Sequence, residues 1–145
     1  MKRVIVSGYF NPLHGGHLDM IEAAEQLGDY LIVIVNNDDQ QRIKKGKIIL
    51  EQENRARLMN ALKHVHEVVI AVDKDTPVIE TLRQIAAVYP DDELIFANGG
   101  DRDSDKVTPE TAVCTELGIA MVYGVGGTDK ADSSTRINQA LGHAK

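Results

Sequence analysis

Two histidines separated by two glycines, His14 and His17, are the residues whose type and spacing best suit catalysis. An apolar run over 4–6 precedes them and a helical pattern follows, so they stand at a strand-to-helix turn. The amino end of a helix carries unpaired N–H groups and a partial positive charge, which stabilise an anion. Imidazole donates hydrogen bonds to phosphate oxygens, and Gly16 lets a phosphate approach the main chain. The segment therefore predicts a phosphate-binding site.

A structural role is the alternative for His14, in which its side chain caps the helix or packs in the turn. That interpretation would be the better one for an isolated histidine, because histidine is often structural or exposed. The second histidine and the intervening glycines at a helix start favour phosphate binding instead.

Short apolar runs alternate with helical patterns along the chain, as expected for strands of a parallel sheet buried on both faces. The predicted strands cover 2–7, 30–36, 67–72, 93–97 and 120–123. The predicted helices cover 17–27, 50–64, 77–88 and 109–117, and a last one runs from 132 or 133 to about 142. We therefore predict the α/β class, with a single Rossmann-like doubly wound domain over 1–145 and a five-stranded parallel sheet.

Glycine and proline mark the predicted helix ends. Gly28 and Gly118 suit positions just after a helix, while Pro77 and Pro109 suit the first turn behind a threonine cap. Polar, glycine-rich segments follow the strand ends at 8–17, 36–47, 98–107 and 124–134. In an open parallel sheet these segments share one edge, where ligands bind near the reversal of strand order.

Composition limits the class of protein. The 145 residues are 43% hydrophobic and 26% charged, as in an ordinary globular domain. The net charge of −6 opposes general nucleic-acid binding but is compatible with a nucleotide. No apolar stretch approaches the ~20 residues of a membrane span. The single cysteine, Cys114, suits the helix core better than a nucleophile, and with no signal-peptide pattern we expect a cytoplasmic location.

Residues 8–11, Gly-Tyr-Phe-Asn, and residues 14–17, His-Gly-Gly-His, resemble the G-x-F-[DN] and HxGH signatures of the nucleotidyltransferase superfamily. Residues 133–135, Ser-Ser-Thr, are similar to that family's Ile-Ser-x-Thr element. The resemblance covers nearly the whole chain and is closest to the cytidylyltransferase-like branch. That branch includes glycerol-3-phosphate cytidylyltransferases and the adenylyltransferase domain of ADP-heptose synthases. It implies a homodimer.

The resemblance implies four catalytic residues. His14 and His17 would hold the α- and β-phosphates, and Lys45 would reach the triphosphate or the acceptor's phosphate from a loop that we expect to be mobile until nucleotide binds. A solvated basic loop is the alternative for Lys45. Arg55 would orient substrate phosphate, with a surface salt bridge as its alternative. Arg57 points elsewhere on a helix and serves as an internal control.

The resemblance also implies a set of nucleotide-binding residues. Asn11 stands where the branch usually has aspartate, and it either orients a phosphate or forms the turn. Because an amide adds no carboxylate, we expect Mg²⁺ to be held mainly by the nucleotide phosphates, with no protein metal ligand. The other implied residues are Tyr9, Phe10, Gly16, Gly99, Gly100, Asp101, Lys130, Ser133, Ser134 and Thr135.

The predicted function is transfer of a nucleoside monophosphate, expected to be CMP from CTP, to a small phosphorylated acceptor with release of pyrophosphate. The acceptor phosphate is already a nucleophile, so alignment and cations matter more than a strong base. The alternative is an adenylyltransferase that uses ATP on a sugar phosphate or a cofactor precursor. A non-catalytic nucleotide-binding sensor is the alternative from another class. Neither a nucleic-acid nor a membrane partner is expected.

Overall fold

The computed structural model describes residues 1–11, 13–99 and 109–125, and it gives no description of the Lys45 side chain. The strands in this part of the chain are β1 (Lys2–Gly8), β2 (Tyr30–Val35), β3 (Glu67–Ile70), β4 (Glu93–Gly99) and β5 (Ala120–Val125). The helices are α1 (Gly15–Glu25), α2 (Asp38–Lys45), α3 (Gln52–Asn60), α4 (Ile79–Val88) and α5 (Pro109–Leu117).

All five strands pair in parallel, in the order β3-β2-β1-β4-β5. The chain builds outward from β1 through β2 to β3, and then crosses back to add β4 and β5 on the other side. Strand order therefore reverses between β1 and β4, which is where ligands bind in open α/β sheets. The predicted fold class is confirmed, and the loop of His14 follows β1 at this reversal point.

The sheet is covered by helices on both faces, because its strands carry continuous apolar runs such as 4–6 in β1 and 31–35 in β2. In β1, Val4 and Val6 belong to the buried cluster that includes Ile21 of α1 and Met59 of α3. Ile5, between them, belongs to the cluster formed with α4 and α5. Successive strand residues face opposite sides, so a continuous apolar run supplies two cores.

One predicted helix end is confirmed and another is wrong. Gly118 follows α5 with a left-handed φ of 72°, as expected of a helix-terminating glycine. In contrast, α4 begins two residues after Pro77, and Thr76 is not its cap. The carboxylate of Asp73 instead accepts hydrogen bonds from the N–H groups of Glu80 (2.7 Å) and Thr81 (3.2 Å). The capping group therefore comes from the segment after β3, seven residues upstream of Glu80.

Helix α2 lies inside the segment 36–47, which the sequence predicts to be a loop. Its first turn is closed by a capping box, in which Asn37 and Gln40 each accept from the other's backbone N–H. Asn37 also donates to the carbonyls of Ala71 and Asp73, which fixes the helix start beside the end of β3. Gly46 ends the helix with a left-handed φ of 75°. Apolar periodicity misses this helix because polar side chains anchor it.

The turn between α1 and β2 offers a test of packing. A Cβ at Gly28 would lie 2.8 Å from the Lys2 carbonyl oxygen and 2.8 Å from Val4 Cγ2. Since the carbonyl belongs to β1 and cannot yield, Gly28→Ala should lower the free energy of unfolding by about 1–3 kcal/mol. Gly118→Asn is the control, because asparagine tolerates left-handed φ and space there is open. Equal urea midpoints for the two variants would show that a Cβ at position 28 does not clash with the Lys2 carbonyl.

Candidate active site

The two histidines of the turn after β1 form a stacked pair at the amino end of α1. Their ring centroids lie 3.8 Å apart with 23° between the ring planes. Nδ1 of His14 accepts from the Gly16 N–H (3.1 Å), and Nδ1 of His17 accepts from the His14 N–H (3.3 Å). His14 therefore caps α1, as its structural alternative predicts. An imidazole that accepts at Nδ1 carries its proton on Nε2, so capping and donation to phosphate are compatible roles.

Phe10 packs against the histidine pair through its contact with His17. Its side chain is buried and packs edge-on against the His17 ring, with centroids 4.8 Å apart. A Cβ at Gly8 would lie 2.7 Å from Phe10 Cζ, so the ring occupies the space above Gly8. Phe10 adopts a left-handed φ of 51°, which is uncommon for a non-glycine residue. The buried ring thus positions His17, and the nucleotide-binding role implied for Phe10 stays a prediction.

Asn11 clamps two loops together. Its Oδ1 accepts from the N–H groups of Ile49 and Leu50, both at 2.9 Å, and its Nδ2 donates to the Lys47 carbonyl at 3.2 Å. The side chain is buried and Asn11 lies in a turn, as its structural alternative predicts. Its role toward phosphate stays a prediction. An aspartate here would lack the donor to the Lys47 carbonyl.

Arg55 of α3 is a fully buried arginine with 0% exposed side-chain surface. Its Nε donates to the Leu50 carbonyl (2.8 Å), and its Nη1 donates to the carbonyls of Tyr9 (2.6 Å) and Asn36 (2.7 Å). Nη2 meets the Asp38 carboxylate at 2.7 Å. The surface salt bridge is wrong, because the Arg55 side chain is fully buried. These contacts give the guanidinium a structural role, and its phosphate-binding role stays a prediction.

A buried face of α3 explains why Arg55 differs from its control. Arg55 and Met59, four residues apart, are the two buried residues of this helix, whereas Arg57 is exposed. Arg55 thereby joins the loops after β1 and β2 to the beginnings of α2 and α3. It is a positioning residue for the site.

Lys44 of α2 lies beside the loop that follows β1. Its Nζ lies 5.0 Å from the centroid of the half-buried Tyr9 ring, within the range of a cation–π contact. The predicted catalytic lysine, Lys45, is the last residue of α2, and its role stays a prediction. The C-terminal end of α2 thus brings positive charge to the loop after β1.

The helical state of α2 changes what we expect of its dynamics. The Gln41 N–H donates to the Asn37 carbonyl at 3.0 Å, and the capping box holds the first turn. We therefore expect the amides of residues 41–45 to be protected from hydrogen exchange before any nucleotide is added. Amides of this stretch that exchanged as fast as in an unfolded peptide would restore the mobile-loop interpretation.

The remaining predicted nucleotide-binding residues divide into two groups. Gly16 lies in the first turn of α1, and Gly99 ends β4 at the sheet edge where β1 ends at Gly8. The others lie outside the described residues: Gly100, Asp101, Lys130, Ser133, Ser134 and Thr135.

The other histidines and the cysteine have structural surroundings. His66 Nδ1 accepts from the Leu31 N–H (3.0 Å), and His64 Nδ1 lies 2.9 Å from Glu25 Oε1. Cys114 is fully buried in the core, and this burial raises the pKa of its thiol to about 11. The prediction that Cys114 belongs to the core is confirmed. No helix in the described ranges has the length and apolarity to cross a membrane.

Comparison with known families decides the affiliation of the chain. The family model described as cytidylyltransferase-like matches residues 5–139. The chain belongs to the cytidylyltransferase-like family. The resemblance predicted from the HxGH segment is thereby confirmed. Relatives of this chain that are called FAD synthase or glycerol-3-phosphate cytidylyltransferase are nucleotidyltransferases.

Curated relatives in this family carry different names. An FAD synthase of Ferroglobus placidus is 35% identical over 106 residues, 73% of this chain and 64% of that protein. The bifunctional protein HldE of Desulfatibacillum aliphaticivorans is 33% identical over 142 residues, 97% of this chain and 27% of that protein. The glycerol-3-phosphate cytidylyltransferase of Bacillus subtilis is 39% identical over 69 residues, 48% of this chain and 54% of that protein. Each match spans less than two thirds of the relative's own length.

Solved structures agree on the fold. A lipopolysaccharide core biosynthesis protein of Thermoplasma volcanium GSS1 superposes with a TM-score of 0.67 at 26% identity, covering 91% of this chain and 99% of that one. A protein of unknown function from Archaeoglobus fulgidus superposes with a TM-score of 0.55 at 22% identity, covering 92% of this chain and 94% of that one. The second likeness supports the fold alone.

Proposed function

We propose that this protein transfers a nucleoside monophosphate from a nucleoside triphosphate to a small phosphorylated acceptor and releases pyrophosphate. The observation that carries the proposal is the stacked His14–His17 pair at the amino end of α1, at the reversal point of the sheet. Because Nδ1 of each neutral ring accepts from the backbone, the ring proton is on Nε2, and we assign these N–H groups to the phosphates of a ligand bound at the helix start.

The reaction requires little proton transfer. A phosphate oxygen of the acceptor attacks the α-phosphorus, and the bond from that phosphorus to the β-phosphate oxygen breaks, so pyrophosphate leaves with the electron pair. The histidine N–H groups and the amino end of α1 stabilise charge on the α- and β-phosphates. Lys44 adds a cation from the α2 side. Asn11 and Arg55 keep these groups in register by tying their loops together.

CTP is the first candidate donor, and ATP is the second. The family description and the Bacillus subtilis relative favour cytidylyl transfer. ATP is favoured by the FAD synthase relative, whose product carries an adenylyl group and whose match covers 73% of this chain against 48%. The sequence predicts that the base lies against the loops after β4 and β5. A homodimer and a cytoplasmic location are part of the proposal.

Pyrophosphate release tests the proposal directly. Each of the four common nucleoside triphosphates is incubated with glycerol 3-phosphate, a hexose phosphate, FMN or a phosphorylated amino alcohol. We expect CTP to exceed ATP by about tenfold or more, since one hydrogen bond to the base edge contributes about 1.4 kcal/mol. Equal or better turnover with ATP would make ATP the assigned donor in place of CTP and would leave the assignment as a nucleotidyltransferase intact. Nucleotide binding without pyrophosphate release for every pair would favour the sensor.

Mg²⁺ should bind with the nucleotide and only weakly without it. Within the described ranges, no group of three or more His, Cys, Asp or Glu side chains is arranged to hold a metal ion. The Asp38 carboxylate, at the start of α2, already accepts hydrogen bonds from Arg55 Nη2 and from the Gln52 N–H. Since Mg²⁺ commonly keeps waters and substrate phosphates as ligands, calorimetry should detect weak binding to the free protein. A tight site without nucleotide would contradict this expectation.

A further inference from the structure

Gln41 of α2 has a buried carbonyl oxygen that no other group of the described chain satisfies. The residue is 1% exposed, and its Oε1 lacks a hydrogen-bond partner. The adjacent Gln40 is equally buried but fully used, because it accepts from Asn36 Nδ2 and the Asn37 N–H and donates to the Asp75 carbonyl. Buried polar groups without partners are rare and destabilising, so the orphaned oxygen of Gln41 calls for a partner that is not part of the described chain.

The position of Gln41 on α2 shows which way this oxygen lies. Asp38 is three residues before it and Lys44 three residues after it, so the three share one side of the helix. Asp38 bonds to Arg55 of α3, and Lys44 lies over the ring of Tyr9 in the loop after β1. Asp39, which lies about 160° around the helix from Gln41, is exposed and pairs with the exposed Arg42. Gln41 therefore lies on the side of α2 that faces the site.

The sheet order indicates which part of the ligand comes near α2. Helix α2 follows β2, which neighbours β1 on the side away from β4. The base is expected against the loops after β4 and β5, so the β2 side receives the acceptor. An amide oxygen accepts from a hydroxyl, and the lysine-bearing end of the same helix suits a phosphate.

We propose that Gln41 recognises the acceptor, with Oε1 accepting a hydrogen bond from a hydroxyl of a phosphorylated polyol or sugar whose phosphate lies toward Lys44. The assignment rests on the proposed function and deepens it. In the free protein the orphaned oxygen is a stability cost, and the ligand's hydroxyl removes that cost on binding. Gln41 is thus a specificity-determining residue for hydroxyl-bearing acceptors.

Gln41→Met tests this role, because methionine matches the length of glutamine and lacks the acceptor. Without an orphaned oxygen, the free variant should melt at or above the wild-type temperature. Calorimetry then compares glycerol 3-phosphate, glucose 1-phosphate and FMN with propyl phosphate, which has no hydroxyl. The wild type should bind at least one hydroxylated ligand about tenfold more tightly than propyl phosphate, and Gln41→Met should lose that preference. Gln41→Glu keeps an acceptor and should retain it.

Arg42→Gln, on the exposed side of α2, is the matched control and should bind like the wild type. A Gln41→Met variant that keeps the tenfold preference, or a wild type that shows none, would overturn the assignment. Because these measurements need no turnover, they separate the two proposals. If the wild type prefers hydroxylated ligands but releases no pyrophosphate, the proposed function is refuted. If pyrophosphate is released but Gln41→Met keeps the wild-type preference for hydroxylated ligands, the role of Gln41 is refuted.

Discussion

Replacing His14 with asparagine should lower turnover by about 10²–10³-fold while leaving the fold intact. Asparagine is a good helix cap, so its side-chain oxygen can replace Nδ1 as the acceptor of the Gly16 N–H. It cannot replace the N–H of Nε2 that we assign to the α- and β-phosphates. Steady-state pyrophosphate release and a melting curve on the same preparation measure the two effects separately.

His14→Ala distinguishes the cap from the donor, because it removes both. We expect it to lose as much activity as His14→Asn and, in addition, about 0.5–2 kcal/mol of stability. His64→Asn is the matched control, since His64 contacts Glu25 away from the site and should not affect turnover. A His14→Asn enzyme that turns over like the wild type, beside an inactive and unstable His14→Ala, would reduce His14 to a helix cap.

Replacing Arg55 with methionine should lower the free energy of unfolding by about 3–5 kcal/mol. The change leaves the Asp38 carboxylate without its cation and removes the donor to the carbonyls of Tyr9, Asn36 and Leu50. Arg55→Lys should recover little of this loss, because one ammonium group cannot reproduce the fork geometry of a guanidinium. Urea unfolding followed by circular dichroism measures each variant.

Arg57→Met is the control for Arg55, because Arg57 lies two residues away on the exposed side of the same helix. Its free energy of unfolding should stay within about 0.5 kcal/mol of the wild type. Wild-type stability in Arg55→Met together with weakened triphosphate binding would return Arg55 to a phosphate-binding role and refute the positioning role.

The strands were predictable because buried parallel strands leave a plain mark in the sequence. Residues 31–35 of β2 are apolar at every position, and each is fully buried. Helix α2 was not predictable from apolar periodicity, since Gln40 and Gln41 are its buried residues. Its capping pair, Asn37 with Gln40, and the following Gly46 were the available signal.

The histidine pair was predictable because a short motif carries it within one turn of chain. The roles of Asn11 and Arg55 were not, because each depends on partners distant in sequence. The hydrogen-bond partners of Asn11 are 36 to 39 positions further along the chain. Arg55 donates to the Tyr9 carbonyl, and the two residues are 46 positions apart. Arginine as a residue type is usually exposed. Only the folded structure shows that four backbone and side-chain acceptors surround Arg55.

The fate of the α-phosphorus tests nucleotidyl transfer most directly. The protein is incubated with an acceptor and with nucleoside triphosphate labelled at either the α- or the γ-phosphorus, beside a His14→Asn control. The α-label should appear on the acceptor and the γ-label in pyrophosphate, with both signals strongly reduced in the control. A γ-label on the acceptor or in inorganic phosphate, with the α-label left in the nucleoside diphosphate, would contradict the proposed reaction.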